Sequence, residues 1–101
     1  MASELAERVV VVLRAHEAEL RQAGIMRLSL FGSVARSDDT ADSDIDLVAE
    51  LDRQAGIGLL AFGALERHLG NLLGRKVDLL AGPPENPRLR AAIEQDSICA
   101  F

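Results

Sequence analysis

The sequence predicts an α/β (α+β) fold: one small domain over residues 1–101, with a mixed sheet flanked by helices. Three observations predict it. Residues 25–31 and 44–51 alternate apolar and polar with the period of a half-buried strand. Residues 3–23 and 59–73 carry apolar positions at helical spacing. Glycines and prolines punctuate the chain between these segments, so helix and strand patterns intersperse along it.

Residues 3–23 read as one helix, capped by Ser3, with Glu4 and Glu7 at the positive end of its dipole and Gly24 as its left-handed stop. Leu5, Val9, Val12, Leu13, His16 and Leu20 form the inward stripe. Val10 and Val11 lie off it; ordinary burial or a protein interface would account for them. In the first strand Met26, Leu28 and Leu30 alternate with Arg27, Ser29 and Phe31. Gly32 breaks the strand, and residues 33–37 read as a turn into a short helix, followed by a polar loop over residues 38–43. In the second strand Ile45, Leu47, Ala49 and Leu51 share one face, while Asp44, Asp46, Val48 and Glu50 share the other. A second long helix follows with Leu59, Phe62, Leu65, Leu69, Leu72 and Leu73 as its stripe, and Gly74 ends it. Residues 76–81 form a third strand that Gly82-Pro83-Pro84 stops. Asn86 caps a last helix, with Pro87 at its first position and Leu89 and Ile93 inward. The apolar tail over residues 97–101 is too brief to assign.

The totals exclude several function classes. No apolar run approaches the roughly 18 residues of a membrane span. The start of the chain lacks the basic residues of a signal peptide, so a cytosolic protein without a membrane role is expected. Cys99 stands alone and reads as a small packed residue. A net charge of −5, with no Trp or Tyr and 3 Phe, argues against direct nucleic-acid binding through phosphates or base stacking. An acidic chain still binds a nucleotide if metal ions supply the positive charge.

The stretch over residues 31–51, FGSVARSDDTADSDIDLVAEL, carries the chemistry. Asp44 and Asp46 project from the same strand face, about 6.5–7 Å apart along it. Like charges at 4 Å repel by about 4 kcal/mol at an effective dielectric near 20, so the pair invites a cation such as Mg²⁺. Two exposed aspartates at the start of an edge strand is the plainer reading, and for Asp-Ile-Asp alone the better one. Gly32 lets the backbone approach a phosphate, and Ser33 adds a hydroxyl at the same point; a glycine turn with an ordinary serine cap is again the plainer alternative. Arg36 would contact phosphate or pair with Asp38 or Asp39. Asp78, between Val77 and Leu79, would join the other two acids if the third strand pairs with the second; otherwise it faces water. Three carboxylates suit metals that clamp a reacting phosphate, with one helping to deprotonate an attacking hydroxyl. His16, His68 and the loop acids Asp38, Asp39 and Asp42 read as surface or packing residues. Arg75 and Lys76 suit a helix end, or a triphosphate tail.

These residues carry a family resemblance. GSVARSDDTADSDIDL is similar to the GSxARG…SDIDL signature of nucleotidyltransferases with the DNA polymerase β-like fold, and the short chain resembles the minimal, or MNT, domains. The resemblance covers residues 31–51 closely and reaches loosely to Asp78. It implies that Gly32 and Ser33 hold the triphosphate of ATP and that Asp44 and Asp46 ligate two Mg²⁺ ions. Asp78 would be the third metal-site acid, beside the attacking oxygen. MNT proteins commonly serve as antitoxins to HEPN-domain toxins, which implies a HEPN-domain partner and AMP transfer from ATP to a tyrosine of that partner. Ser37 stands where the family usually has Gly, so the loop there is expected to tighten or change shape. A catalytically silent antitoxin acting by binding alone, and nucleotidyl transfer to a small molecule, stand as the alternatives.

Overall fold

In the computed structural model, which describes residues 3–101, the alternating stretches are strands of one four-stranded sheet. The chain runs α1 (Glu4–Ala15), α2 (Glu17–Gln22), β1 (Ile25–Phe31), α3 (Gly32–Arg36), β2 (Ile45–Leu51), α4 (Leu59–Leu73), β3 (Val77–Gly82), α5 (Pro87–Asp96) and β4 (Ile98–Cys99). A single 3-10 turn, Arg53–Ala55, follows β2. The sheet order is β3-β2-β1-β4. β1 pairs antiparallel with β2 and β4, and β2 pairs parallel with β3. The sheet is therefore mixed, and α4 is the crossover that a parallel pair requires.

Period two divides the sheet into a dry face and a polar face. Leu28 and Leu30 of β1, Ile45, Leu47 and Ala49 of β2, and Val77 and Leu79 of β3 all enter the core. Ala6, Val9 and Leu13 of α1, Leu20 of α2, and Leu65 and Leu69 of α4 cover that face. Truncating a fully buried leucine such as Leu47 to alanine would cost about 2–5 kcal/mol. Asp46, Val48 and Glu50 occupy the opposite face of β2 and stand across from Phe31, Ser29 and Arg27 of β1. The predicted caps are present: Ser3 Oγ accepts from Ala6 N–H at 3.0 Å, and Asn86 Oδ1 accepts from Arg88 N–H at 2.9 Å.

Several expectations need correction. The helix over residues 3–23 is two helices. His16 Nδ1 bonds the Val12 carbonyl at 2.9 Å, the acceptor that His16 N–H would use in a continuous helix, and His16 N–H donates instead to Leu13 O. Met26 is exposed, because the register slips between Ile25 and Arg27; the extra residue forms a bulge, and Ile25 fills the core in its place. Val11 is 67% exposed, so ordinary burial does not account for it. Leu59 is exposed as well, since the stripe of α4 reaches the core only from Phe62 onward. Leu89, in the first turn of α5, is exposed, while Ile93 one turn later is buried. The tail adds β4 at the sheet edge, which leaves Cys99 exposed with its thiol donating to Phe101 O at 3.3 Å.

Candidate active site

The site forms where the end of β1 meets the start of β2. Phe31 pairs with Asp46, so the chain turning out of β1 passes directly over the Asp46 carboxylate. That turn is Gly32, at φ +76. A Cβ there would overlap Asp46 Oδ2 and lie 3.0 Å from its Cγ. Glycine is thus required twice, by the backbone conformation and by the carboxylate beneath it. Ser33 lies inside the first turn of α3; Phe31 occupies the N-cap position and no side chain caps the helix. The reading of Ser33 as an ordinary cap therefore fails.

Asp46 also stands in register with Asp78 on the parallel neighbour β3, on strands that lie about 4.8 Å apart. Asp44, expected on the strand, lies just before β2, two residues from Asp46, and pairs with Lys76 Nζ at 3.8 Å; Lys76 is so exposed that this pair counts for little. Burial holds the Asp46 carboxyl above its usual range, the charges of Asp78 and then Asp44 add to the rise, and Arg36 opposes it. The three acids predicted from sequence are thus brought together, with Asp46 at their centre.

This donor set fits Mg²⁺. It offers only hard oxygens, from two adjacent strands and the residue before one of them, with a mutual repulsion that a cation relieves. Among the described residues, no three acidic, imidazole or thiol side chains close around a metal by themselves. A bound Mg²⁺ would therefore complete its shell with water and phosphate oxygens, the arrangement this ion favours.

Arg36 Nε donates to Asp38 Oδ2 at 3.2 Å, and its Nη1 lies 3.9 Å from Asp96 Oδ2, so the guanidinium links α3 to α5. Ser37 adopts the left-handed conformation, φ 63 and ψ 28. Its N–H donates to Val34 O and Asp38 N–H donates to Ser33 O at 2.8 Å, the paired bonds of a Schellman stop. Serine therefore takes up the glycine-like geometry at this turn instead of reshaping it.

Two supporting residues have roles that the sequence did not show. Arg75 Nη2 donates to the carbonyls of Thr40 and Ala41, both at 3.3 Å, and of Ser43, tying the loop that delivers Asp44 to the end of α4. This accounts for the Arg75 guanidinium, which the sequence had placed at a helix end or facing a triphosphate tail. Glu66 of α4 accepts from Leu79 N–H at 2.8 Å and so occupies the outer edge of β3 next to Asp78. Neither had a local signal: each looks like an ordinary charge on a helix until the long-range pairing is known. His68 pairs with Glu19 and has no place in the site.

A small mixed sheet that carries Asp46 and Asp78 on its polar face, with Asp44 just before β2 and Gly32 over Asp46, has the make-up of a nucleotidyltransferase, and the comparisons agree. The chain matches the nucleotidyltransferase domain family over residues 13–100 and belongs to it. It is an enzyme domain of the minimal nucleotidyltransferase type. It is 37% identical over 81 residues to the protein adenylyltransferase MntA of Thermococcus cleftensis, covering 79% of this chain and 80% of that protein. A solved structure described provisionally as a minimal nucleotidyltransferase superposes with a TM-score of 0.69 at 36% identity, over 88% of this chain and 93% of that one. The fold is also that of a complex between a tri-AMPylated Shewanella oneidensis HEPN toxin and its MNT antitoxin (TM-score 0.62, 19% identity, 91% of this chain and 71% of that one).

Proposed function

We propose that this protein transfers AMP from ATP to a tyrosine hydroxyl of a HEPN-domain partner toxin and so acts as its antitoxin. The observation that carries this reading is the placement of Asp46, in register with Asp78 and directly beneath Gly32. Gly32 and Ser33 hold the β- and γ-phosphates, and Arg36, whose charge acts on Asp46, would exchange Asp38 for the same anion. Asp44, Asp46 and Asp78 hold two Mg²⁺ ions, which when bound neutralise the triphosphate and the charge that develops on it. Asp78 takes the proton from the tyrosine hydroxyl. The phenolic oxygen then bonds the α-phosphorus, the bond to the bridging oxygen breaks, and pyrophosphate leaves toward the Gly32 turn. The name of the Thermococcus relative supports adenylyl transfer to protein, and the HEPN complex of the same fold supports the partner class.

The test is mass spectrometry of a HEPN-domain toxin incubated with the protein, ATP and Mg²⁺. One or more AMP units should appear on a tyrosine. Asp78→Asn should slow the transfer by about 10²–10⁴-fold, the usual contribution of a positioned base. No gain of AMP with folded components would refute the reading.

A second reading has its own support. Val11, Leu59 and Leu60 are exposed apolar side chains, the kind that a toxin would cover by contact alone. The double variant Asp44→Asn, Asp46→Asn separates the two: if it still neutralises the toxin in cells, binding suffices.

A further inference from the structure

On the polar face of the sheet, α5 leaves a cleft of about 200 Å³. Ser29 of β1 and Val48 of β2 form its floor, and Ile93 of α5 with Pro83 and Pro84 forms its wall. Val48 follows Asp46 on the same strand face by two positions, about 7 Å away. Ser29 stands opposite Val48 as Phe31 stands opposite Asp46, so the cleft and the Gly32 turn lie on opposite sides of Asp46.

That order matters for phosphoryl chemistry. In an in-line displacement the nucleophile and the leaving group occupy opposite sides of the reacting phosphorus. If pyrophosphate departs toward Gly32, the attacking oxygen arrives from the side of Val48.

We propose that this cleft seats the acceptor: an extended polypeptide segment whose tyrosine ring lies over Val48 and Ile93 with its hydroxyl directed at Asp46 and Asp78. The inference rests on the proposed transfer reaction and assigns its second substrate a place.

Size and chemistry favour this occupant over the nucleoside. The cleft is smaller than the roughly 300–1,000 Å³ of sites that enclose a drug-sized ligand, so it suits a single side chain. Its apolar wall suits a ring. Arg27, Glu50, Arg90 and Glu94 also line it, a mixed set of charges that matches the charged and amide groups flanking a tyrosine and disfavours a second phosphate.

The test is an NMR titration of the ¹⁵N-labelled protein with two probes, the peptide acetyl-Lys-Gly-Tyr-Gly-Glu-amide and ATP with Mg²⁺. The peptide should move the amides of Ser29, Val48 and Ile93, and ATP should move those of Gly32 and Ser33 instead. A peptide that leaves the three cleft amides unmoved, or ATP that moves them, overturns the proposal. The charge variant Glu94→Arg gives a second measurement. It should raise KM for the protein acceptor by about tenfold with nucleotide affinity unchanged, and an unchanged KM would count against the assignment. Peptide seated in the cleft without any AMP transfer by the wild-type protein would support the seat while refuting the transfer reaction.

Discussion

Gly32 lies so close to Asp46 that the backbone turn and the carboxylate exclude any side chain between them. Gly56 offers the control, because it has a similar positive φ of 62 and nothing within 4 Å of a Cβ. Gly56→Ala should lose only the cost of the left-handed backbone, about 1 kcal/mol. Gly32→Ala should lose more stability than this and should also weaken ATP binding, since it displaces Asp46. Thermal unfolding and calorimetric titration of the two variants check the contrast.

The raised pKa of Asp46 sets a direction for pH dependence. The folded protein holds that proton more tightly than the unfolded chain. Stability without metal should therefore fall as pH rises from the ordinary aspartate value of 3.8 through the raised one. Asp46→Asn should remove this decline and stabilise the metal-free protein at neutral pH by about 0.5–1 kcal/mol, while abolishing transfer. Unfolding curves from about pH 4 upward to neutral pH decide it. Equal pH slopes for the two proteins would contradict the assignment.

Ser37 holds a left-handed conformation that glycine adopts without a Cβ penalty. Ser37→Gly should be more stable than Ser37→Ala, which also lacks the hydroxyl, by up to about 1 kcal/mol, or roughly 4–8 °C in Tm for a domain of this size. The Schellman bonds should persist, and nucleotide affinity should be unchanged or improved.

Glu66 carries the outer edge of β3. Glu66→Ala removes the acceptor for Leu79 N–H and should cost about 1 kcal/mol, with faster amide exchange at Leu79. Glu66→Gln keeps a carbonyl acceptor and should restore both.

The sequence made the strands legible wherever one face is dry and the other wet, as in residues 45–51, because a one-residue slip would bury Asp46 and expose Ile45. The caps at Ser3 and Asn86 were legible for the same local reason. Long-range contacts were not. The bulge at Met26 exists only in relation to β2, the break at His16 depends on its ring taking a backbone carbonyl, and β4 is a strand only because β1 has a free edge. Within the site, Gly32, Ser33, Asp44 and Asp46 could be picked out by spacing along one stretch. The place of Asp78 depended on a parallel register across α4 that no local pattern encodes.

The central claim is that Gly32, Ser33 and the three aspartates form one Mg²⁺-dependent triphosphate site. Calorimetric titration of ATP into the wild-type protein and the Asp46→Asn variant, with and without Mg²⁺, tests it most directly. The account predicts saturable binding by the wild type only with Mg²⁺, and its loss in the variant. ATP binding that ignores both the metal and Asp46 would contradict it.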